Sequence, residues 1–283
     1  SKWNHEYDTH VSVSRYLYSS RYSSQQSTPV NGNHLSNIGS ADEDNTLEDR
    51  SIRFQHQYKG FENHRITSGI EESYYAVRYK TNKLDGSVAN TVVFNQEGFL
   101  HAFFLQDQWI PNDRWDIQAG YRVSYYNELE GFYGSPRLAL KYRVRPGVSL
   151  ETSLGRHHQF VHRLIGENMT RGTRRMWIIS SRQIPCISSL NYHTGLNWEK
   201  GYYSLSMSGY YRSLIDIFQF QDSFIPTTTL VNYRTVSNNE IDYGTGIARG
   251  IELLLRKKEG MVSGWISYHL NRTKYNFPSL NNG

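Results

Sequence analysis

Three histidines, His157, His158 and His162, lie close together near the middle of the chain. Imidazole nitrogens are common ligands of zinc and other transition metals, so this group is a candidate metal site. Adjacent residues of a β-strand point to opposite faces, however, and His157 and His158 therefore do not converge on one ion. We interpret the three side chains as solvent-exposed residues at the base of a loop, and we predict no metal site.

The other residues that could take part in chemistry lack the partners that a reaction needs. Glu71 lies beside Glu72, and Glu128 lies close to Glu130. No nucleophile elbow, phosphate-binding loop or metal-ligand spacing accompanies these carboxylates. Cys186 is the only cysteine, so it cannot form an internal disulfide, and we interpret it as an ordinary loop residue. The sequence predicts no catalytic residue, no cofactor and no enzymatic activity.

The charged residues are dispersed along the chain. The formal net charge is +5, with 31 Lys and Arg against 26 Asp and Glu. The cations alternate with acids instead of forming one basic stripe, and no nucleic-acid-binding motif accompanies them. We therefore predict no nucleic-acid partner.

A strictly alternating segment begins at Arg114. Charged, amide and small polar residues occupy the even positions, while the odd positions are apolar or aromatic: Trp115, Ile117, Ala119, Tyr121, Val123 and Tyr125. A period of two is that of a β-strand with one apolar and one polar face. Trp115 and Tyr125 are ten residues apart, which corresponds to about 23 Å along a barrel axis at a tilt near 45°, close to the apolar band of about 25 Å on outer-membrane barrels. The segment is therefore predicted to be a membrane-spanning strand.

The same alternation recurs and gives about eleven strands, joined by turns of two kinds. Short turns are predicted at 111–113, 145–147, 199–201 and 258–260, and long polar loops at 23–45, 166–184 and 221–243. Transmembrane barrels have short periplasmic turns and long extracellular loops. Trp109, Trp115 and Trp198 lie next to short turns, as an aromatic girdle at one interface requires. The predicted fold class is all-β: a transmembrane antiparallel β-barrel, of which this chain is a part.

The alternation also assigns residues to the two faces of the wall. The predicted lipid-facing residues are Ile117, Tyr121, Leu140, Leu150, Leu205 and Leu253. The predicted lumen-facing residues are Gln118, Arg122, Lys141, Glu151, Ser206 and Glu252.

Several short strings carry a family resemblance. These are Phe104–Trp109, Gly120–Arg122, Ser135–Tyr142, and Gly250–Glu252 followed by Gly260–Tyr268. Together, and in this order, they resemble the barrel of TonB-dependent outer-membrane receptors.

The resemblance implies a barrel of about 22 strands that encloses an N-terminal plug domain. We expect residues 1–283 to be one partial barrel domain, with the plug and the closing C-terminal strands outside the chain. The implied function is ligand-gated, TonB-energised uptake of a scarce nutrient, such as an iron chelate, cobalamin, a glycan or a peptide, in the bacterial outer membrane. The implied partners are membrane lipid, lipopolysaccharide, TonB through the plug, the cargo, and a surface lipoprotein.

Two groups of residues follow as candidate contacts. Loops on a rigid scaffold are where binding residues concentrate, and the aromatic residues in or beside the long loops are Tyr22, Trp177, Phe224 and Tyr233. The basic residues predicted to face the lumen are Arg122, Arg137, Lys141 and Arg143. The basic row either attracts an anionic cargo or forms salt bridges to the plug, and we favour the second role.

Two other classes of protein share part of the pattern. A passive porin has the same alternation and loop asymmetry, and a plug-sized upstream domain would distinguish the receptor from it. A secreted, soluble β-rich binding protein would pack its apolar faces against a second sheet, and partition into detergent would separate that case.

Overall fold

The structure is a computed structural model that describes residues 2–4, 6–30, 34–85, 88–168, 172–220 and 241–278. Within these ranges nearly every residue is in a β-strand, and one 3₁₀ turn lies at Asn127–Leu129. No helix of the described residues has the length and apolar character needed to cross a bilayer.

Twelve strands form one antiparallel sheet, and its order follows the chain except where β9 and β10 leave it. In the described residues the two end strands, β1 and β14, do not pair with each other. The prediction of about eleven strands is confirmed, because β1 has only 3 residues and the other strands of the sheet are long. The strand bounds are β1 Lys2–Asn4, β2 Tyr7–Val30, β3 His34–Tyr58, β4 His64–Asp85, β5 Val88–Asn112, β6 Trp115–Tyr126, β7 Gly131–Arg145, β8 Val148–Gln159, β9 Val161–Asn168, β10 Gly172–Ile179, β11 Ile187–Lys200, β12 Tyr203–Phe220, β13 Ile241–Lys257 and β14 Gly264–Asn276.

The short turns form where their sequences predict them. The Asn112 side-chain oxygen accepts hydrogen bonds from the backbone N–H groups of Arg114 (2.9 Å) and Trp115 (3.2 Å), which closes the β5–β6 turn. Gly147 has φ +75, and a Cβ there would lie 2.2 Å from the Glu199 carbonyl oxygen. The Glu199 N–H donates to the Gly147 carbonyl at 2.6 Å, so two neighbouring turns are tied at one rim of the sheet.

The pairing register sorts the side chains into the predicted faces. Gln118 lies opposite Gln108 and Ala139, whereas Ile117 lies opposite Trp109 and Leu140. Followed across β6–β13, the register places all twelve residues of the face prediction as the alternation assigned them. We call the face that carries Gln118 the inner face, because the β9–β10 hairpin packs on it, and the opposite one the outer face.

Large apolar side chains cover the outer face and are exposed there. Tyr121 is 54% exposed, Ile251 is 57% exposed and Val13 is 76% exposed. At the rim of the short turns, Trp109 stacks on His64 with ring centroids 5.7 Å apart, and Trp115 packs on Tyr142 at 4.5 Å. Trp198 lies on the same face, opposite Val148 and Leu205. The three tryptophans thus form the aromatic row that the sequence predicts.

The predicted long loops are wrong in two places. The segment 23–45 continues the β2–β3 ladder as far as the pair Val30 and His34. The segment 166–184 contains most of the β9–β10 hairpin. The residues 221–240 of the third predicted loop lie outside the described residues. The sequence 23–45 is mostly polar and does not alternate, yet backbone hydrogen bonds between strands do not depend on side-chain polarity.

Candidate functional site on the inner face

The β9–β10 hairpin folds onto the inner face of the sheet. Strand β10 lies against β3, β4 and β5, while β9 lies against β12. Ile178 and Ile179 of β10 are 0% and 1% exposed, and they pack against Val77, Tyr79 and their neighbours. The four-residue apolar run 176–179 is therefore the core of this contact.

One polar contact fixes the position of the hairpin along the strands. The backbone N–H of Ile179 donates to the Gln96 side-chain oxygen at 2.9 Å. Trp177 packs edge-on against Tyr18 of β2, with ring centroids 5.8 Å apart. The hairpin is thus held to β2 and to β5 at once.

The base of the hairpin is buried. His162 Nε2 lies 2.8 Å from Ser180 Oγ, and Ser180 Oγ donates to the Pro185 carbonyl at 3.2 Å. The Ser180 N–H donates to the Phe160 carbonyl at 2.8 Å. Burial lowers the pKa of His162 to about 4, because the surroundings penalise the charged imidazolium. His162 is therefore neutral at physiological pH.

A polar cavity of about 330 Å³ lies on the inner face beside the hairpin. Arg122 lines the cavity and donates two hydrogen bonds to the Glu71 carboxylate, at 2.9 and 3.2 Å. Arg137 also lines the cavity, and it makes no ion pair with a carboxylate of the described residues. The cavity is suited to a polar group, because it presents a paired and an unpaired guanidinium together with the Asp49 carboxyl group.

The four basic residues of the prediction lie on the inner face. Arg122 is opposite Ser135 and Phe104, and Arg137 is opposite Gly155. Lys141 lies opposite Glu151, and Arg143 donates to the backbone carbonyl of Asp113 at 2.9 Å. The contacts of this row with a plug or with cargo stay a prediction.

Of the four aromatic candidates, the two that the structure describes lie in strands. Tyr22 belongs to β2, opposite Glu43 on the inner face, and it is 47% exposed. Trp177 belongs to β10 and is half-buried. Phe224 and Tyr233 lie outside the described residues. Their predicted role in binding ligand is untested, but Tyr22 and Trp177 are presented by strands and not by loops.

The histidines do not form a common site. His157 and His158 border the polar cavity, where His158 Nδ1 lies 3.1 Å from Ser135 Oγ. His162 is 3% exposed, so its interpretation as an exposed loop-base residue is wrong. In the part of the chain that the structure describes, no group of three or more His, Cys, Asp or Glu could hold a metal ion.

Cys186 is buried in the connection that leads from the hairpin to β11. It packs with Leu100, Tyr126 and Phe160 of the inner face. Burial raises the pKa of its thiol to about 12, and the residue is therefore an unreactive part of the core.

Sequence reasoning missed the hairpin and the Glu71–Arg122 pair. The signal for the hairpin was the run Met176–Ile179, which is apolar at four consecutive positions and is flanked by polar residues. The pair joins β4 to β6 across β5, and the sequence carries no signal for it.

Comparison with known proteins decides the family. The model of the family described as TonB dependent receptor-like, beta-barrel matches residues 1–283. The chain belongs to this family. The family consists of receptors and transporters and is not a class of enzymes. Among curated proteins, none matches the sequence.

Solved structures of receptors share the fold of this TonB-dependent receptor barrel. The ferric yersiniabactin uptake receptor FyuA of Yersinia pestis superimposes with a TM-score of 0.64 at 14% identity, over 96% of this chain and 41% of FyuA. The ferripyoverdine receptor of Pseudomonas aeruginosa gives a TM-score of 0.62 at 11% identity, over 94% of this chain and 38% of the receptor. The RagAB peptide transporter gives a TM-score of 0.59 at 12% identity, over 97% of this chain and 35% of the transporter chain. This chain thus spans about two fifths of the length of FyuA.

Proposed function

We propose that this chain is part of the barrel wall of a bacterial outer-membrane receptor that imports a scarce nutrient with energy supplied through TonB. The observation that carries the proposal is the division of one sheet into two faces. The outer face is apolar with an aromatic row at one rim, which suits lipid, and the inner face carries arginines around a polar cavity, which suits an enclosed polar partner. The membership of the chain in the TonB-dependent receptor family supports the same conclusion.

The inner face is where a plug and the cargo would meet the wall. An anionic group can pair with Arg137, whereas Arg122 is already engaged by Glu71. The similar receptors bind ferric yersiniabactin and ferripyoverdine, and RagAB transports peptides. We propose an iron chelate or a peptide as the cargo, before cobalamin or a glycan. TonB would act through an N-terminal plug, and a surface lipoprotein would cover the outer mouth.

The passive-pore alternative is disfavoured by the hairpin. A porin keeps an open aqueous channel, but β9–β10 here fills the space above the inner faces of β3–β5 with an apolar core. A soluble protein is disfavoured by the extent of exposed apolar surface on the outer face, which no second sheet covers in the described residues.

The test uses the full-length receptor in outer membranes of strains with and without TonB. The probes are a panel of radiolabelled ferric siderophores and of oligopeptides. We expect saturable accumulation of at least one probe in the TonB-positive strain and its loss in the TonB-null strain. Equal accumulation in both strains would contradict TonB-dependent import and indicate a passive pore.

Tyr22 tests whether the inner face touches the cargo. Tyr22→Ala should weaken binding of the imported probe to whole cells. The Tyr22 ring is exposed on the inner face, four residues beyond Tyr18, which the hairpin contacts. Tyr16→Ala is the matched control, since Tyr16 lies on the same face of β2 and is 55% exposed nearer the short turns. Equal binding by both variants and the wild type would remove Tyr22 from the site.

A further inference from the structure

Strand β5 has a free edge where it rises above the short strands. It pairs with β6 from Asn112 to Leu100, where β6 ends at Tyr126 and the chain turns back through the 3₁₀ turn Asn127–Leu129. β5 itself continues to Val88 and stays paired with β4 over that length. In the described residues, no strand pairs with the other side of β5 beyond Leu100. Because β6 occupies the neighbouring place in the wall, no further strand of the barrel can be inserted there.

The edge presents backbone groups at regular intervals. The Phe99 N–H points away from β4 and donates to the Asn127 side-chain oxygen at 2.7 Å. Backbone groups of an antiparallel strand point to its two sides in alternation, so every second residue beyond Phe99 points the same way. Among the described residues, no hydrogen bond reaches these backbones from that side. We call their N–H and C=O groups the open edge, and they belong to Thr91, Val93, Asn95 and Glu97.

The open edge lies beyond the reach of lipid. Glu97 is twelve residues from Trp109 of the aromatic row, which corresponds to about 28 Å along a barrel axis at a tilt near 45°. The apolar band of outer-membrane barrels is only about 25 Å high. The part of β5 that carries the open edge therefore rises out of the bilayer.

The sequence of this part of β5 lacks the usual protection of an exposed edge. Edge strands that face only water commonly carry lysine, proline or a β-bulge, which prevent pairing with another chain. The nine residues Val88–Gln96 contain no charged residue, no proline and no glycine, and their ladder with β4 has no bulge. Val93 is 43% exposed. The edge is therefore suited to accept another strand.

The side chains beside the open edge leave it accessible. On the outer face, Thr91 Oγ1 donates to Asn82 Oδ1 at 3.0 Å, and Arg78 Nε donates to Asn95 Oδ1 at 3.3 Å. Both contacts draw side chains of β5 towards β4 and away from the edge. On the inner face, the hairpin holds the Gln96 side chain. β5 is thus fixed on both faces, so that pairing with an incoming strand requires little further ordering of β5.

We propose that the open edge binds an extended peptide cargo as an added β-strand. The proposal rests on the proposed function, because it places the edge on the cell exterior and chooses a peptide over an iron chelate as the cargo. The open edge repeats its N–H and C=O groups about every 6.8 Å, and an extended polypeptide has the same repeat. An iron chelate folds around its metal and offers no extended backbone. Main-chain hydrogen bonds supply the affinity in this binding mode, so peptides of many sequences can bind.

Hydrogen exchange resolved to single amides tests the site in the full-length receptor, purified in detergent. Without peptide, we expect rapid exchange at the four amides of the open edge and slow exchange at Phe94 and Gln96, whose N–H groups point to β4. A large excess of heptapeptides of random sequence should slow exchange at the open edge at least about tenfold. Slow exchange there before peptide is added would show that another part of the receptor covers the edge and would overturn the proposal. Unchanged exchange with the peptides present would overturn it too.

A second experiment separates backbone recognition from side-chain recognition and needs no mutation. The heptapeptide that binds most tightly is compared with the same sequence N-methylated at every residue, which keeps the side chains and loses the N–H donors. We expect the methylated peptide to bind at least about tenfold more weakly. Equal affinity of the two peptides would contradict strand addition.

A substitution in β5 locates the binding. Val93→Pro removes one N–H of the open edge and spares the ladder with β4, because this N–H points away from β4. The affinity for the unmethylated heptapeptide should fall about fivefold. Val93→Thr is the matched control, since it keeps the N–H and the branched shape, and it should bind as the wild type does. Unchanged affinity in an assembled Val93→Pro receptor would contradict the site, and the methylated peptide decides the question if this variant does not assemble.

The cargo experiment separates this inference from the proposed function. TonB-dependent accumulation of a ferric siderophore, with no peptide that slows exchange at the open edge, would overturn this inference alone. Accumulation that is equal with and without TonB would overturn the proposed function, even if the open edge binds peptide in the purified receptor.

Discussion

Strands β2–β5 and strands β6–β8 build two different parts of one wall. The first group has strands of 22 to 25 residues, and the second has strands of 12 to 15 residues. An apolar band of about 25 Å needs about ten residues per tilted strand, so the second group is little longer than a membrane span. The extra length of the first group lies beyond the band.

The extra length has a structural use. The polar extensions of β3, β4 and β5 carry Leu47, Val77, Tyr79 and Phe94 on the inner face, and these residues receive the hairpin. The short strands β6–β8 do not reach the hairpin core, and they contribute Arg122 and Arg137 to the polar cavity, which Asp49 and Glu71 of the long strands also line. Wall height thus decides where the sheet can receive the hairpin, and the polar cavity forms where the long and the short strands meet.

The largest effect should come from breaking the hairpin contact. Ile178→Asp places a carboxylate where the native side chain is 0% exposed, and it should weaken hairpin docking by about 3 to 5 kcal/mol. Hydrogen exchange of the β9 and β10 amides in the full-length receptor measures this loss. Arg163→Ala is the control, because Arg163 is an exposed residue of the same hairpin. If the β9 and β10 amides of Ile178→Asp were as well protected from exchange as those of the wild type, the apolar core would not be what holds the hairpin.

The short-strand region should be most sensitive on its outer face. Tyr121→Arg puts a charge towards lipid near the bilayer midplane at a cost of about 2 to 4 kcal/mol, whereas Gln118→Arg adds a cation to the inner face at much lower cost. The yield of heat-modifiable, folded receptor in outer membranes measures the difference. Equal yields of the two variants would contradict the assignment of the faces.

The hairpin should also respond to pH. The pKa of His162 is about 4 in the docked state, against 6.5 for a free imidazole. Between these values the undocked state binds more protons than the docked state. Docking of the hairpin therefore becomes less favourable as the pH drops from about 6.5 towards 4. The docking stability lost over this whole pH range is at most about 3 kcal/mol.

Hydrogen exchange of β9 and β10 at pH 7 and at pH 4.5 checks this dependence. His162→Asn removes the titrating group and should make the protection of β9 and β10 independent of pH in that window. A wild-type hairpin that is better protected at pH 4.5 than at pH 7 would reverse the sign of the argument.

The alternation predicted the short strands well and the long ones only in part. In β6 every second residue meets an apolar environment, so Trp115–Tyr126 could be recognised from the sequence. The segment 23–45 is mostly polar and does not alternate, so the same reasoning predicted a loop there. His162 and Trp177 were placed in or beside a loop because a hairpin that folds back onto the sheet needs contacts distant in sequence, such as Trp177 with Tyr18. The Glu71–Arg122 pair depends on such a distant contact too.

We infer that one face of this sheet meets lipid and that the other does not. Single cysteines at the consecutive positions 117–122 of β6, in a full-length receptor with Cys186→Ser, are labelled with an environment-sensitive fluorophore and exposed to lipid-bound quenchers in proteoliposomes. We expect strong quenching at Ile117, Ala119 and Tyr121 and weak quenching at Gln118, Gly120 and Arg122. Quenching that does not alternate along these six positions would contradict it.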